Sequence, residues 1–198
     1  MKRMICLILA LCLLLTGCSG HYPDRAVDGA AWDREWTILG TVLGVEEPGD
    51  GLTLSENPVV LSGDATYYAV WTIGEGTQYT NEEGKDATVY DAQLYLLLYG
   101  CGDEEQARQA VSDWTEREHQ VYDITQTSDL TANAQDYSLL HYRTISDTNP
   151  YERGVVAFGV YRSYAVSAEL TCAEGFEGDE AEILGRFLQG CHYSAEKG

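Results

Sequence analysis

The sequence predicts a single α+β domain, an antiparallel β-sheet with two packed helices, and three observations carry that prediction. Segments rich in β-branched and aromatic residues, one of them alternating strictly, dominate from Trp36 onward. The apolar period changes to helical spacing after Gly102, and it does so again after Asp179, close to the C-terminus. A length of 198 residues is enough for one well-buried core and marginal for two.

The first strand is expected over Trp36 to Val45, which carries Ile38, Val42, Leu43 and Val45 and ends at the turn cluster Glu46-Glu47-Pro48-Gly49-Asp50-Gly51. Two further strands, Thr66 to Ile73 and Thr88 to Tyr99, are expected to be neighbours in one antiparallel sheet. In the second of these Tyr90, Ala92, Leu94, Leu96 and Leu98 share one face. Gly74, Gly76, Asn81 and Gly84 between them read as a long polar connection.

Asp103 is placed to cap a helix, with Gln106 returning the bond in a capping box. Ala107, Ala110, Val111 and Trp114 then recur at helical spacing and should pack on the sheet, with Glu105, Arg108, Glu116 and Glu118 facing water. Strands follow at Gln120 to Thr125, Ser138 to Ile145, Gly154 to Tyr161 and Tyr164 to Cys172, the last two joined by an Arg162-Ser163 turn. Asp179 and Glu182 repeat the capping spacing. Ile183, Leu184, Phe187, Leu188 and Cys191 form the apolar face of a closing helix that Gly190 helps to end.

This element order, with the closing pattern from Gly154 to Leu170 and Glu182 to Gly190, resembles the PsbP-like α/β sandwich. The resemblance implies a binding or assembly module without catalysis, although fold alone does not fix function.

The N-terminus supplies a cellular address. Lys2 and Arg3 precede an apolar run from Ile5 to Leu15, and Leu15-Thr16-Gly17-Cys18 follow. That run is too short to span a bilayer, which needs about 20 apolar residues, and the small residues mark a cleavage site. The segment resembles a bacterial lipoprotein signal with its lipobox. The resemblance implies removal of residues 1–17 and a diacylglyceryl group on Cys18 as the one covalent addition, with no other cofactor. Each buried methylene contributes about 0.8 kcal/mol, so two or three acyl chains hold firmly where one does not. The alternative is an ordinary secreted protein whose signal ends near a cysteine. Residues 18–35 are small and polar, including His21, Pro23, Asp24, Asp28 and Gly29, and read as a flexible tether for a domain over 36–198. The expected location is the cell membrane, lipid-anchored and facing the extracytoplasmic side.

Charge excludes one class of partner. Of 12 basic residues, loss of Lys2 and Arg3 leaves 10 against 32 acidic residues, a formal charge of −22. Such a surface repels phosphates and carries no basic stripe, so nucleic acid is excluded. The acidic clusters at Glu46-Glu47, Glu82-Glu83, Asp103 to Glu105 and Glu174 to Glu182 read as solvated loops and helix N-termini; no calcium loop is present and no metal site is expected.

Beyond the signal and Cys18 there are three cysteines, Cys101, Cys172 and Cys191, of which at most one pair can close within a chain. Cys172 at a strand end and Cys191 at a helix end are candidates for a bridge of about 3 kcal/mol. Three reduced, buried thiols are the equal alternative. His21, His119, His141 and His192 sit in no catalytic motif, and there is no G-x-S-x-G elbow, H-E-x-x-H pair or phosphate-cradling glycine loop. His119 with Asp123 falls across a helix end, and His141 points away from the face of Leu140 and Tyr142. No catalytic residue is therefore expected.

Binding is favoured by 14 tyrosines and 4 tryptophans in a small acidic chain. Their rings join broad apolar area to a polar tip. Tyr67, Tyr68, Tyr79, Tyr90 and Tyr99 fall on both faces of their strands, which predicts an exposed aromatic patch on the sheet or beside the 74–84 connection. The expected function is a non-catalytic module that binds an envelope protein, peptide or glycan, with an accessory subunit of an envelope complex, or less favoured a hydrolytic enzyme of unrecognised type, as alternatives.

Overall fold

The computed structural model describes residues 34–38, 41–45, 49–55, 59–61, 66–80, 84, 86–145 and 149–195. The signal with Leu15, Thr16, Gly17 and Cys18, and the tether up to residue 33, lie outside the described residues.

The chain begins with β1 (Arg34–Ile38) and β2 (Thr41–Val45), an antiparallel hairpin where one strand is expected. The short β3 (Thr53–Leu54) and β4 (Val59–Leu61) both pair with β5 (Thr66–Ile73). The polar connection after β5 contains a second hairpin, β6 (Thr77–Thr80) with β7 (Asp86–Val89). The expected strand from Thr88 is consequently split: Tyr90 and Asp91 interrupt it, and β8 (Ala92–Gly100) starts afresh beside β5. The backbone N–H of Asp91 donates to Ile73 at 3.0 Å and closes that excursion.

Helix α1 (Glu104–Val121) follows, then β9 (Tyr122–Ala132), β10 (Gln135–Thr144), β11 (Tyr151–Tyr161), β12 (Tyr164–Ala173), helix α2 (Glu180–Gln189) and β13 (Cys191–Ala195). The main sheet has eight antiparallel strands, ordered β3-β5-β8-β12-β11-β10-β9 with β4 also against β5. A separate sheet is ordered β1-β2-β13.

Both helix starts follow the local chemistry. The Asp103 carboxylate accepts from the Gln106 backbone N–H at 2.8 Å, and the Asp179 carboxylate from that of Glu182 at 2.9 Å. Gln106 returns its bond one residue earlier than expected, to the Gly102 N–H at 3.3 Å. Cys191 is not on a helix: α2 ends at Gln189, and Cys191 opens β13, where it is buried opposite Val45.

Strand alternation gives the main sheet two distinct faces. The inner face carries Ala69 and Trp71 of β5, the alternate leucines of β8, and Ala168 and Leu170 of β12; Ile183, Leu184, Phe187 and Leu188 of α2 close it. Trp71 and Phe187 meet edge to face, centroids 4.7 Å apart. The outer face carries Leu140, Tyr142, Val156 and Phe158, covered by Val111 and Trp114 of α1.

The β9–β10 hairpin is longer than the sequence predicts, since no strand is expected between Thr125 and Ser138. Its turn residues, Asn133 and Ala134, both have positive φ, 47° and 60°. Tertiary contacts hold them: the Asn133 backbone N–H donates to Gln189 at 3.0 Å, and its side-chain amide donates to the Cys191 carbonyl. The Arg162-Ser163 turn forms where expected, with Arg162 at φ 54° and its guanidinium over the Tyr161 ring.

Cys172 and Cys191 are separate buried thiols, and the bridge between them is not formed. Burial, with the charge of Glu180 adding to it and Arg153 opposing, pushes the Cys172 thiol up to about 12. A thiol so held has almost no thiolate for exchange at neutral pH.

Candidate functional site

The outer face of the sheet is only partly roofed, because α1 lies over the β9, β11 and β12 side and leaves β5 and β8 beyond its edge. The residues that alternate outward there are Tyr68 and Val70 on β5 and Gln93, Tyr95, Leu97 and Tyr99 on β8. Tyr68 and Tyr99 are 39% and 42% exposed, the largest aromatic exposures among the described residues. Tyr68 stacks on Tyr95 with centroids 6.2 Å apart, and Tyr99 meets the edge of Trp114 at 6.2 Å. Two strands and the rim of one helix thus present two pairs of rings on this face.

The aromatic patch expected from the sequence is therefore present, with a different membership. Tyr67 is fully buried on the inner face, one residue out of phase with Tyr68. Tyr79 and Tyr90 are half-buried on and beside the β6–β7 hairpin. Tyr95 and Trp114 join Tyr68 and Tyr99 in the patch, although neither is one of the five tyrosines from which it is expected.

Behind these rings, under the C-terminal half of α1, lies a cluster of carboxyls and phenols. Glu169 of β12 is flanked in register by Tyr95 of β8 and Val156 of β11. The Tyr142 hydroxyl donates to its carboxylate. The Tyr122 ring stacks on Tyr142 with centroids 4.1 Å apart, and the Tyr95 hydroxyl donates to Gln93 at 2.6 Å. Gly154 makes room for this arrangement: a Cβ there would stand 2.5 Å from both the Tyr142 hydroxyl and the Leu170 carbonyl.

Glu118 on α1 faces the same cluster rather than open water, a correction to the helical-face reading. Burial and then the charge of Glu169, opposed by Arg117, raise its carboxyl to about 7. Glu169 keeps some accessible surface as a residue, but its carboxyl is desolvated; burial raises it and the Tyr142 hydrogen bond pulls it back. Tyr142 is pushed far up by burial and by Glu169, and Tyr122 to about 12 by the same two causes in the same order. Two carboxyls that disfavour each other's charge can hold a proton near neutral pH. The sequence does carry a signal for this cluster: Glu169 is the one charged residue in the strand Tyr164 to Ala173.

Among the described residues, no group of three or more histidine, cysteine, aspartate or glutamate side chains is placed to hold a metal ion. His119 is exposed in the last turn of α1, and His141 alternates with Leu140 and Tyr142 onto the other face, as expected. His192 lies at the Asn133 turn, 2.9 Å from its amide nitrogen. None of the three is brought to the carboxyl cluster by the sheet register. No described helix is long and apolar enough to cross a membrane.

No family model and no curated relative matches the chain. Among solved structures it is similar to cyanobacterial PsbP (CyanoP) from Synechocystis sp. PCC 6803, a solution structure, at 10% identity and a TM-score of 0.38. The match covers 64% of this chain and 86% of that one. No statement about family or function follows from a likeness of this degree.

Proposed function

We propose that this chain is a lipid-anchored, extracytoplasmic module without catalytic activity that binds an envelope protein, peptide or glycan through the outer face of β5 and β8. The observation that carries the reading is the two ring contacts Tyr68–Tyr95 and Tyr99–Trp114 where the roof of α1 ends, with Tyr68 and Tyr99 exposed. Tyrosine and tryptophan give large contact area at small entropic cost, and exposed rings grouped on one face are a feature of binding surfaces. The anchor reading rests on Leu15, Thr16, Gly17 and Cys18. A diacylglyceryl group on Cys18 would concentrate the domain beside its partner at the membrane.

Two measurements test the two halves. Intact mass of the protein from its host's membranes should begin at Cys18 with acyl chains added, and membrane attachment should be lost in Cys18→Ala; an unacylated soluble chain overturns the anchor. A photo-crosslinking residue in place of Tyr68 or Tyr99 should capture one partner in intact cells that the same residue in place of exposed Glu105 does not. Equal capture from all three positions removes the aromatic rings as the binding surface.

A further inference from the structure

β9 ends the main sheet, and among the described residues no strand pairs with its other side. It is 11 residues long, so it leaves a row of backbone donors and acceptors available to an added strand. The bulge between His141 and Tyr142 bends its first part, and from Gln126 to Ala132 the pairing with β10 is regular. Gln126, Thr127, Asp129 and Thr131 in that stretch are exposed, and it holds no proline, lysine or arginine to blunt the edge.

Beside this straight stretch, on the outer face, α1 and the strands enclose an open groove of about 730 Å³. Asp129, Asp136 and Ser138 form its polar floor, Phe158 and Val111 its apolar side, and Arg108 stands on the helix wall. Glu104 already neutralises Arg108 one helical turn away. No basic side chain among the described residues pairs with Asp129 or Asp136; the Asp136 carboxylate accepts only from the Thr131 hydroxyl, at 2.7 Å. The groove therefore favours a cation.

We infer that β9 and this groove together form a docking site for an extended segment of a partner protein, which adds a strand to the β9 edge and sets lysine or arginine side chains at alternate positions over Asp129 and Asp136. The two halves agree geometrically. In a strand paired with β9, the residue opposite Asp129 has its Cβ about 5 Å from that of Asp129 and projects from the same face, into the groove. The residue two positions on shares that face and stands opposite Thr131. Asp136 lies one strand farther in, on β10 beside Thr131, about 10 Å away across two strand spacings and within reach of a long lysine or arginine side chain, so a single alternating basic pattern addresses both aspartates. A second copy of this chain is the poorer occupant: it brings the same Asp129 and Asp136 and the same formal charge of −20. This surface lies on the far side of α1 from the aromatic rings, and the inference stands whether or not those rings bind anything.

The test uses the full chain and a nine-residue peptide with lysine at every second position and threonine or valine between. Hydrogen exchange followed by mass spectrometry should slow in the segment Tyr122 to Ala132 when the peptide binds. A peptide with glutamate for lysine should not bind, and one N-methylated at alternate residues, with its charges intact but its strand hydrogen bonds blocked, should lose the protection. Asp129→Lys should weaken the parent peptide about tenfold. Absence of binding, protection elsewhere in the chain, or equal binding of the methylated peptide overturns the inference. So does sedimentation showing the chain to be a dimer that the peptide dissociates, because β9 would then be an interface between copies.

Discussion

Tyr142 shows how one residue joins the fold to the candidate site. Its ring packs in the outer core with Leu140, Val156 and Phe158, while its hydroxyl reaches across Gly154 to Glu169. Gly154 is needed there for space and not for a special backbone angle, since a Cβ would press on the rigid Leu170 carbonyl as well as on Tyr142. Gly154→Ala is therefore expected to cost about 1–3 kcal/mol, as overpacking does, read as a lower urea midpoint at unchanged slope. An unchanged midpoint would mean that β11 and β12 shift apart without cost. Asn133 and Ala134 make the complementary point: positive φ at a non-glycine residue is costly, and here contacts from Gln189 and Cys191 hold the turn.

Each helix is written in the sequence twice, once as a cap and once as an apolar stripe, and the two signals differ in weight. Loss of the cap in Asp103→Ala should cost about 1 kcal/mol, because one backbone N–H loses its acceptor at an end that water can reach. Phe187→Ala should cost about 3–5 kcal/mol, because it empties the fully buried contact with Trp71. Thermal or urea denaturation of the two variants should rank them in that order; the reverse would mean that α1 depends on its start more than α2 depends on its core. The strands were legible in the same way wherever one face is buried, as in β8 with Ala92, Leu94, Leu96 and Leu98 all inward. Where an element is short, or nearly as polar on one face as on the other, period says little. That is why β6, β7 and the far half of β9 leave no clear pattern in the sequence, and why the β1–β2 hairpin has the pattern of one strand.

At the scale of the whole molecule, the protonation of Glu118 makes stability depend on pH. Its carboxyl titrates at about 7 in the fold and near 4.3 when unfolded, so the folded chain holds the extra proton. This contribution is fully present below about pH 4.3 and is lost as pH rises through about 7, and Glu169, also raised, acts in the same direction. The melting temperature should therefore fall between pH 5 and pH 7.5, and less steeply in Glu118→Gln. Self-repulsion of a chain with formal charge −20 gives a fall of the same sign, so the comparison belongs in about 1 M salt, where charges more than about 3 Å apart are screened and burial is not. An equal fall in both proteins would show that Glu118 is solvated. By itself the sequence determined the α+β class, both helices with their caps, the core leucines and the acidic surface, because each of these follows from local chemistry or from a period within one element. Only the tertiary structure decided that Glu118 comes within reach of the charge of Glu169, that Tyr68 and Tyr99 stay exposed where the roof of α1 ends, and that β9 ends the sheet. Those facts depend on strand order and on where a helix crosses a sheet, and residues 51 positions apart carry no local record of their distance in space.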